Sequence, residues 1–241
     1  MTHHEAQSPL RNAARPTAPD ATAGGSEVVG LLLAAGGGRR LGGRPKALLT
    51  HHGRPLVEHA VGVLRAGGCA RIHVVLGAEA ATVRARAELP GCVLVDNPEW
   101  AEGMGSSLRA GLESLTGTGA DAVLVSLVDQ PGIGPEAVAR VLAARKPISP
   151  PEPSPNRAGH PPDPSPRRPG GALVAATYDG RRGHPVLLGS AHWAAVAETA
   201  TGDRGARAYL RAHEEVITLV ECGDVALPYD IDTEADLVHL E

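Results

Sequence analysis

The chain contains no phenylalanine, and only two tryptophans and three tyrosines stand among its 241 residues. A core built from it must be aliphatic, and platforms for stacking nucleic-acid bases are scarce. Basic residues are not in excess either. Lys and Arg number 23 against 27 Asp and Glu, a net charge of −4, which leaves no basic footprint for DNA or RNA. Cysteine is rare: Cys69, Cys92 and Cys222 are far apart with no CxxC spacing. That argues against a zinc site or a disulfide framework and fits a reducing cytoplasm. Long apolar runs are missing too. The longest, Val28 to Ala35, falls far short of a bilayer span, so no membrane partner is expected.

What is present suits a folded α/β domain with a real core, for which the length suffices. Residues 1–26 read as a disordered tail of Ala, Pro, Thr, His and Gly without an apolar signal core. Residues 27–241 read as one domain, interrupted at 147–169 by a span with ten prolines. Such a span cannot form a regular helix or central strand and reads as a disordered surface insertion. Replacing Pro150 to Arg168 with a short Gly/Ser linker is therefore expected to leave thermal midpoint and activity unchanged. A collapse of either would show that the segment packs on the domain.

Val28 to Ala34 is a continuous apolar run, as expected of a parallel strand buried on both faces. Helical patterns at Pro55–Leu64, Ala78–Leu89, Ser106–Leu115 and Pro135–Arg145 alternate with strand-like runs at Ile72–Leu76, Cys92–Val95 and Ala122–Val128. Beyond the insertion come strands at Leu173–Thr177, Pro185–Leu188 and Val216–Glu221. Helices are expected at Ala191–Thr199, Ala206–His213 and Thr233–Leu240. This order predicts a mostly parallel sheet with helices on both faces. Ligands then bind beyond the carboxyl ends of the strands, where the segments after Ala34 and Val128 should share one crevice.

Three segments carry candidate chemistry. In Leu33-Ala34-Ala35-Gly36-Gly37-Gly38-Arg39-Arg40-Leu41-Gly42-Gly43-Arg44-Pro45-Lys46, five glycines fall within eight residues after a strand. Glycines allow sharp turns and bring bare N–H groups to an anion, and Arg40 and Lys46 add charge where phosphates would lie. A dinucleotide-binding turn, a P-loop and a plain flexible loop compete with that reading. The P-loop fails because Lys46 stands between Pro45 and Ala47. Asp129, at the end of a predicted buried strand, is either a hard ligand for Mg²⁺ or a helix N-cap. Asp230 and Asp232 share one face of an extended segment, while Thr233 and Asp236 suit a capping box.

The first segment, LAAGGGRRLGGRPKALL, resembles the signature LAAGxSxRMGxxKxLL of nucleotidyltransferases. The chain is most similar to the MobA-like NTP transferase family, and within it to molybdenum cofactor cytidylyltransferases of the MocA type. Leu41 stands where Met is usual, and Gly38 where Ser or Gly is usual. Asp129-Gln130-Pro131 resembles the family's DxP metal motif, and Asp230-Ile231-Asp232-Thr233 its DIDTPED, although Glu234-Ala235-Asp236 departs from Pro-Glu-Asp. Asn97 to Leu108 resembles NPxWxxGMxxSL, Gly183-His184-Pro185-Val186 resembles GHPVL, and Gly202 to Arg207 resembles GDxGAR. Together the matches run from about residue 28 to 240.

The resemblance implies a Rossmann-like, three-layer α/β/α nucleotidyltransferase fold. It implies Mg²⁺ on Asp129 and Asp232, and a nucleotide held by Leu33, Ala34, Ala35, Gly36, Gly37, Gly38, Arg40, Lys46, Gly103, Ser106 and Ser107. Arg40, Lys46 and Asp129 would be catalytic. Gly103 and Gly105 would let a flat base approach, and His184 and Asp203 would face the acceptor. The implied reaction moves CMP from CTP to the phosphate of molybdopterin-type molybdenum cofactor in the cytoplasm and releases pyrophosphate. A molybdoenzyme or chaperone partner is part of that implication. A same-fold enzyme using GTP or a sugar or alcohol phosphate, a non-catalytic nucleotide- or cofactor-binding protein, and an NAD-binding oxidoreductase are the alternatives.

Overall fold

The computed structural model describes residues 27–145 and 170–240. The expected tail at 1–26 and the whole Pro-rich span at 147–169 lie outside the described residues. Among the described residues there are nine strands: β1 (Val28–Leu33), β2 (Thr50–His51), β3 (Arg54–Pro55), β4 (Arg71–Leu76), β5 (Cys92–Asp96), β6 (Ala122–Leu127), β7 (Leu173–Tyr178), β8 (Arg181–Gly189) and β9 (Thr218–Glu221). The helices are α1 (Leu56–Ala66), α2 (Ala80–Arg86), α3 (Met104–Glu113), α4 (Pro135–Ala143), α5 (Trp193–Thr199) and α6 (Arg207–Ala212). Seven strands form one sheet in the order β5-β4-β1-β6-β8-β7-β9, and β2 and β3 pair in a small hairpin. Strands β4, β5 and β6 join β1 in parallel register, while β8 enters antiparallel to both β6 and β7.

Strand alternation explains why β1 reads as unbroken apolar sequence. Val29, Leu31 and Leu33 point into one core with α3, α5 and α6, while Leu32 and Ala34 point into the other with α1 and α4. Both faces are covered, so neither set can be polar. The helices approach closely where glycine permits. A Cβ on Gly111 of α3 would lie 2.6 Å from Leu31 Cδ2, and one on Gly67 after α1 would lie 2.3 Å from Val138 Cγ1 of α4.

Two local expectations differ from the structure. Pro55 belongs to β3 and precedes α1 instead of opening it. The last segment forms a 3₁₀ turn, Glu234–Leu240, not an α-helix. Among the described residues no helix is long and apolar enough to cross a membrane.

The chain runs from β1 to β4 and β5 on one side, then crosses to β6 on the other. The switch falls between the carboxyl ends of β1 and β6, where a crevice opens in sheets of this type.

Candidate active site

At that switch point lies a cleft of about 1190 Å³. Its first wall is the glycine loop. Gly38 adopts φ +58°, and a Cβ there would stand 2.0 Å from the Arg44 carbonyl oxygen. Its own carbonyl accepts from the N–H groups of Leu41 at 2.8 Å and Gly43 at 3.1 Å. Leu41 is fully buried and anchors the loop in the core, which is the work an apolar side chain at that position performs. Gly36 has open space where a side chain would project, and Arg39 and Arg40 are exposed beside it. Gly37 packs against the Trp100 ring, which also covers Gly77.

The second wall brings the acidic residues together. Asp129 follows β6, whose end is held to β1 by the Val128 N–H donating to the Leu33 carbonyl. It is not a helix N-cap, because α4 begins at Pro135 with Gly134 in that position. The segment 227–232 returns to this loop through two backbone bonds. Leu227 N–H donates to Gly132 O at 3.0 Å, and Ile231 N–H to Asp129 O at 2.9 Å. Ile231 is fully buried, so the flanking Asp230 and Asp232 face the cleft instead. Asp236 fixes the next turn by accepting from the N–H groups of Asp232 and Thr233 and from the Thr233 hydroxyl.

Lys46 sits between the two outer aspartates. Its ammonium donates to Asp129 Oδ2 at 2.6 Å and also to Asp232 Oδ1. Since both oxygens bind one nitrogen, they lie well within the ~8 Å that two ligands of one hydrated cation can span. Burial works against the charged lysine, but the Asp129 charge and the bonds to both aspartates outweigh it and raise its pKa above the ordinary value. Asp230 has a different environment. Burial, aided by the charges of Asp129 and Asp232, holds its carboxyl above the usual range despite a hydrogen bond from Gln130 Nε2 at 2.8 Å.

The donor set fits a hard divalent cation. Asp129 and Asp232 already converge on one positive charge, and both are oxygen ligands. Among the described residues no group of three or more His, Cys, Asp or Glu side chains is placed to hold a metal. Two carboxylates with the remaining positions left to phosphate and water match the habit of Mg²⁺.

The third wall contains the segment 97–108. Gly103 and Ser107 line the cleft, but Ser106 does not. Ser106 is buried, with its hydroxyl 2.8 Å from Glu99 O, 2.9 Å from Gly103 O and 2.9 Å from Asn97 Nδ2. The glycines here serve packing between segments. A Cβ on Gly103 would lie 2.4 Å from Asp203 Oδ1, and one on Gly105 would lie 2.8 Å from the Ala200 backbone. The chain crossing at Ala200–Asp203 fills the space where a side chain would project from either glycine. Ala34 is likewise buried and outside the lining, whereas Leu33, Ala35, Gly36, Gly37, Gly38, Arg40 and Lys46 line it.

His184 and Asp203 line the far end, joined by Arg181, Arg182, Arg204 and Arg207. Arg204 and Arg207 belong to the 202–207 motif, whereas Arg181 and Arg182 lie outside every motif; their signal in the sequence is the Arg-Arg pair directly before Gly183-His184. Tyr178 donates its hydroxyl to the His184 carbonyl at 2.6 Å. Burial pushes the His184 imidazole down to about 4, only partly offset by the Asp230 charge. A neutral histidine has a stability consequence. The unfolded chain takes up the proton near the ordinary value of 6.5, so stability present at higher pH is lost as pH falls from there toward about 4. His184→Asn is expected to flatten the fall of thermal midpoint across that window, leaving the slopes of His59 and His73, whose pKa values burial also lowers. Parallel wild-type and variant curves would refute this.

Comparison with known proteins bears on this geometry. The MobA-like NTP transferase domain profile matches residues 30–216. Nicotine blue oxidoreductase of Paenarthrobacter nicotinovorans is 39% identical over 220 residues, covering 88% of this chain and 96% of that protein. A molybdenum cofactor guanylyltransferase of Acidiphilium cryptum is 36% identical over 121 residues, covering 50% of this chain and 59% of that protein. The crystal structure of a homologue of Mycobacterium tuberculosis Rv0371c from Mycobacterium sp. strain JC1 superimposes with a TM-score of 0.67 at 27% identity, covering 90% of this chain and 99% of that one. With its switch-point cleft, glycine loop and profile match over most of its length, the chain belongs to the MobA-like NTP transferase family.

Proposed function

We propose that the protein transfers CMP from CTP to the phosphate of a molybdopterin-type cofactor, with Mg²⁺ as the metal, in the cytoplasm. The observation that carries nucleotidyl transfer is the convergence of Asp129 and Asp232 on one cation position beside the glycine loop. Asp129 and Asp232 would hold the ion, which when bound supplies Lewis-acid stabilisation of charge on the α-phosphate. Arg40 is exposed on the loop and would grip the leaving pyrophosphate, and Gly36 leaves room for phosphate against the backbone. The arginines near His184 offset the negative charge of an anionic acceptor, so two mutually repelling anions can be aligned. His184 is neutral and half-buried, able to hydrogen-bond the acceptor without adding charge. The free thiols of Cys69, Cys92 and Cys222 suit a reducing compartment.

Support for CTP rests on Ala35 in the LAAG start, where guanylyl enzymes usually read LAGG, and on the Met104-to-Ser107 stretch. CTP is expected to bind more tightly than GTP in direct competition. Tighter GTP binding with turnover would sink the cytidylyl assignment. Pyrophosphate release with each NTP, Mg²⁺ and molybdopterin cofactor tests the reaction itself.

A second reading is reduction of a heteroaromatic compound, favoured by the relative named nicotine blue oxidoreductase. Against it, β4 runs into Gly77 and Ala78 with no carboxylate at its end, and the loop after β1 is rich in arginine. Nicotinamide cofactor oxidation by a nicotine-blue-type acceptor, with no pyrophosphate from any NTP, would establish this reading instead.

A further inference from the structure

Lys46 occupies an unusual place for a residue assigned to phosphate. Its ammonium bridges Asp129 and Asp232, 83 and 186 residues away in sequence. Its side chain is 13% exposed, while Asp232 is 47% exposed on the cleft side. The lysine and Asp129, 19% exposed, therefore lie deeper than Asp232, which is open to what enters. A divalent cation between the same oxygens would meet the ammonium at a distance where like charges repel strongly. Both cannot be held there together.

We propose that Lys46 is a resident counter-ion that fills the divalent-cation position between Asp129 and Asp232 until a metal–nucleotide complex displaces it. This rests on the reading of Asp129 and Asp232 as metal ligands. The protein without nucleotide then binds a bare divalent ion poorly, because the ion must expel a bound cation. A nucleotide brings phosphates that accept the released ammonium, so metal and triphosphate bind synergistically. The lysine keeps the two carboxylates at a fixed spacing meanwhile, so the site is assembled before the ion arrives.

The test uses Mn²⁺ as probe, read by loss of its free-ion electron paramagnetic resonance signal, on the full chain with and without CTP. Lys46→Met keeps the side chain's length and removes its charge. It is expected to bind Mn²⁺ alone about tenfold or more tightly than wild type, the scale of removing one nearby positive charge. Adding CTP should tighten Mn²⁺ binding in wild type far more than in Lys46→Met. Lys46→Met combined with Asp129→Asn should lose the gain, which locates the ion. Equal or weaker Mn²⁺ binding by Lys46→Met, with normal Mn²⁺–CTP binding in wild type, overturns the inference alone. No Mn²⁺ binding by any of these proteins, with or without CTP, overturns the metal reading and the inference with it. A second measurement needs no variant. Acetylation of Lys46 by acetic anhydride, read by mass spectrometry, should speed up several-fold when excess Mn²⁺ without nucleotide frees the amine. Unchanged or slower labelling in a protein that binds the ion contradicts the displacement.

Discussion

Asp129→Asn and Asp232→Asn are each expected to lower turnover by about a hundredfold or more while the protein folds normally. An amide is nearly isosteric with a carboxylate and can still accept a hydrogen bond from Lys46, so little strain enters. The lost charge is what the reaction needs. Asp129 and Asp232 face one position, so they act as a unit, and the double variant should cost much less than the sum of the two. Asp230→Asn is the internal control. Its carboxyl accepts from Gln130 and not from Lys46, so it lies off the cation position shared by the other two and should show a smaller loss. The measurement is steady-state pyrophosphate release at saturating Mg²⁺, with thermal midpoints as the fold check. Near-normal activity of Asp129→Asn would remove the metal role from this site.

The second large effect is expected at Gly38. Gly38→Ala must hold a Cβ at φ +58°, which costs on the order of 1 kcal/mol for any left-handed alanine. It also drives that Cβ to 2.0 Å from the Arg44 carbonyl oxygen, a contact that backbone alone can relieve. The loop between Gly38 and Arg44 must open, moving Arg40 and Lys46 away from the cleft. CTP affinity is expected to fall by about tenfold or more, since more than one phosphate-binding group is misplaced. Gly42→Ala separates the two causes. Gly42 has φ +67° but nothing within 4 Å of its Cβ, so it bears the conformational cost without the clash. Calorimetric titration with CTP decides: equal affinities in the two variants would show that the Arg44 contact does not shape the site.

Much of the architecture follows from local pattern. The run Val28 to Leu33 demands a strand covered on both faces, because no alternation leaves a polar side for water. The alternation of strands and helices up to Ala143 is equally local, and so is the glycine loop, whose φ values above zero only glycine adopts at low cost. The placement of β8 was not legible. Its sequence reads as a strand, but nothing local says that it runs antiparallel between β6 and β7, and that placement is what carries His184 to the cleft. The seven-residue Glu234–Leu240 turn carries a helix-like pattern yet closes as 3₁₀, with Leu240 buried at its end.

Residue types and their spacing along the chain determined the fold class, the crevice edge and the glycine loop with its Arg40 and Lys46. These depend on interactions within a few residues, which a linear pattern records. Only the tertiary structure decided which groups meet. Ser106 and Ser107 are both buried and both accept from Asn97 Nδ2; Ser106 also donates toward two carbonyls away from the cleft, and Ser107 alone of the pair lines it. Gly103 and Gly105 make room for the crossing chain at Ala200–Asp203. Asp232 reaches Asp129 because the Ile231 N–H donates to the Asp129 carbonyl while the Ile231 side chain enters the core. That bond joins residues over a hundred positions apart, and its partner is chosen by the packing of the whole sheet, not by anything in the neighbouring sequence.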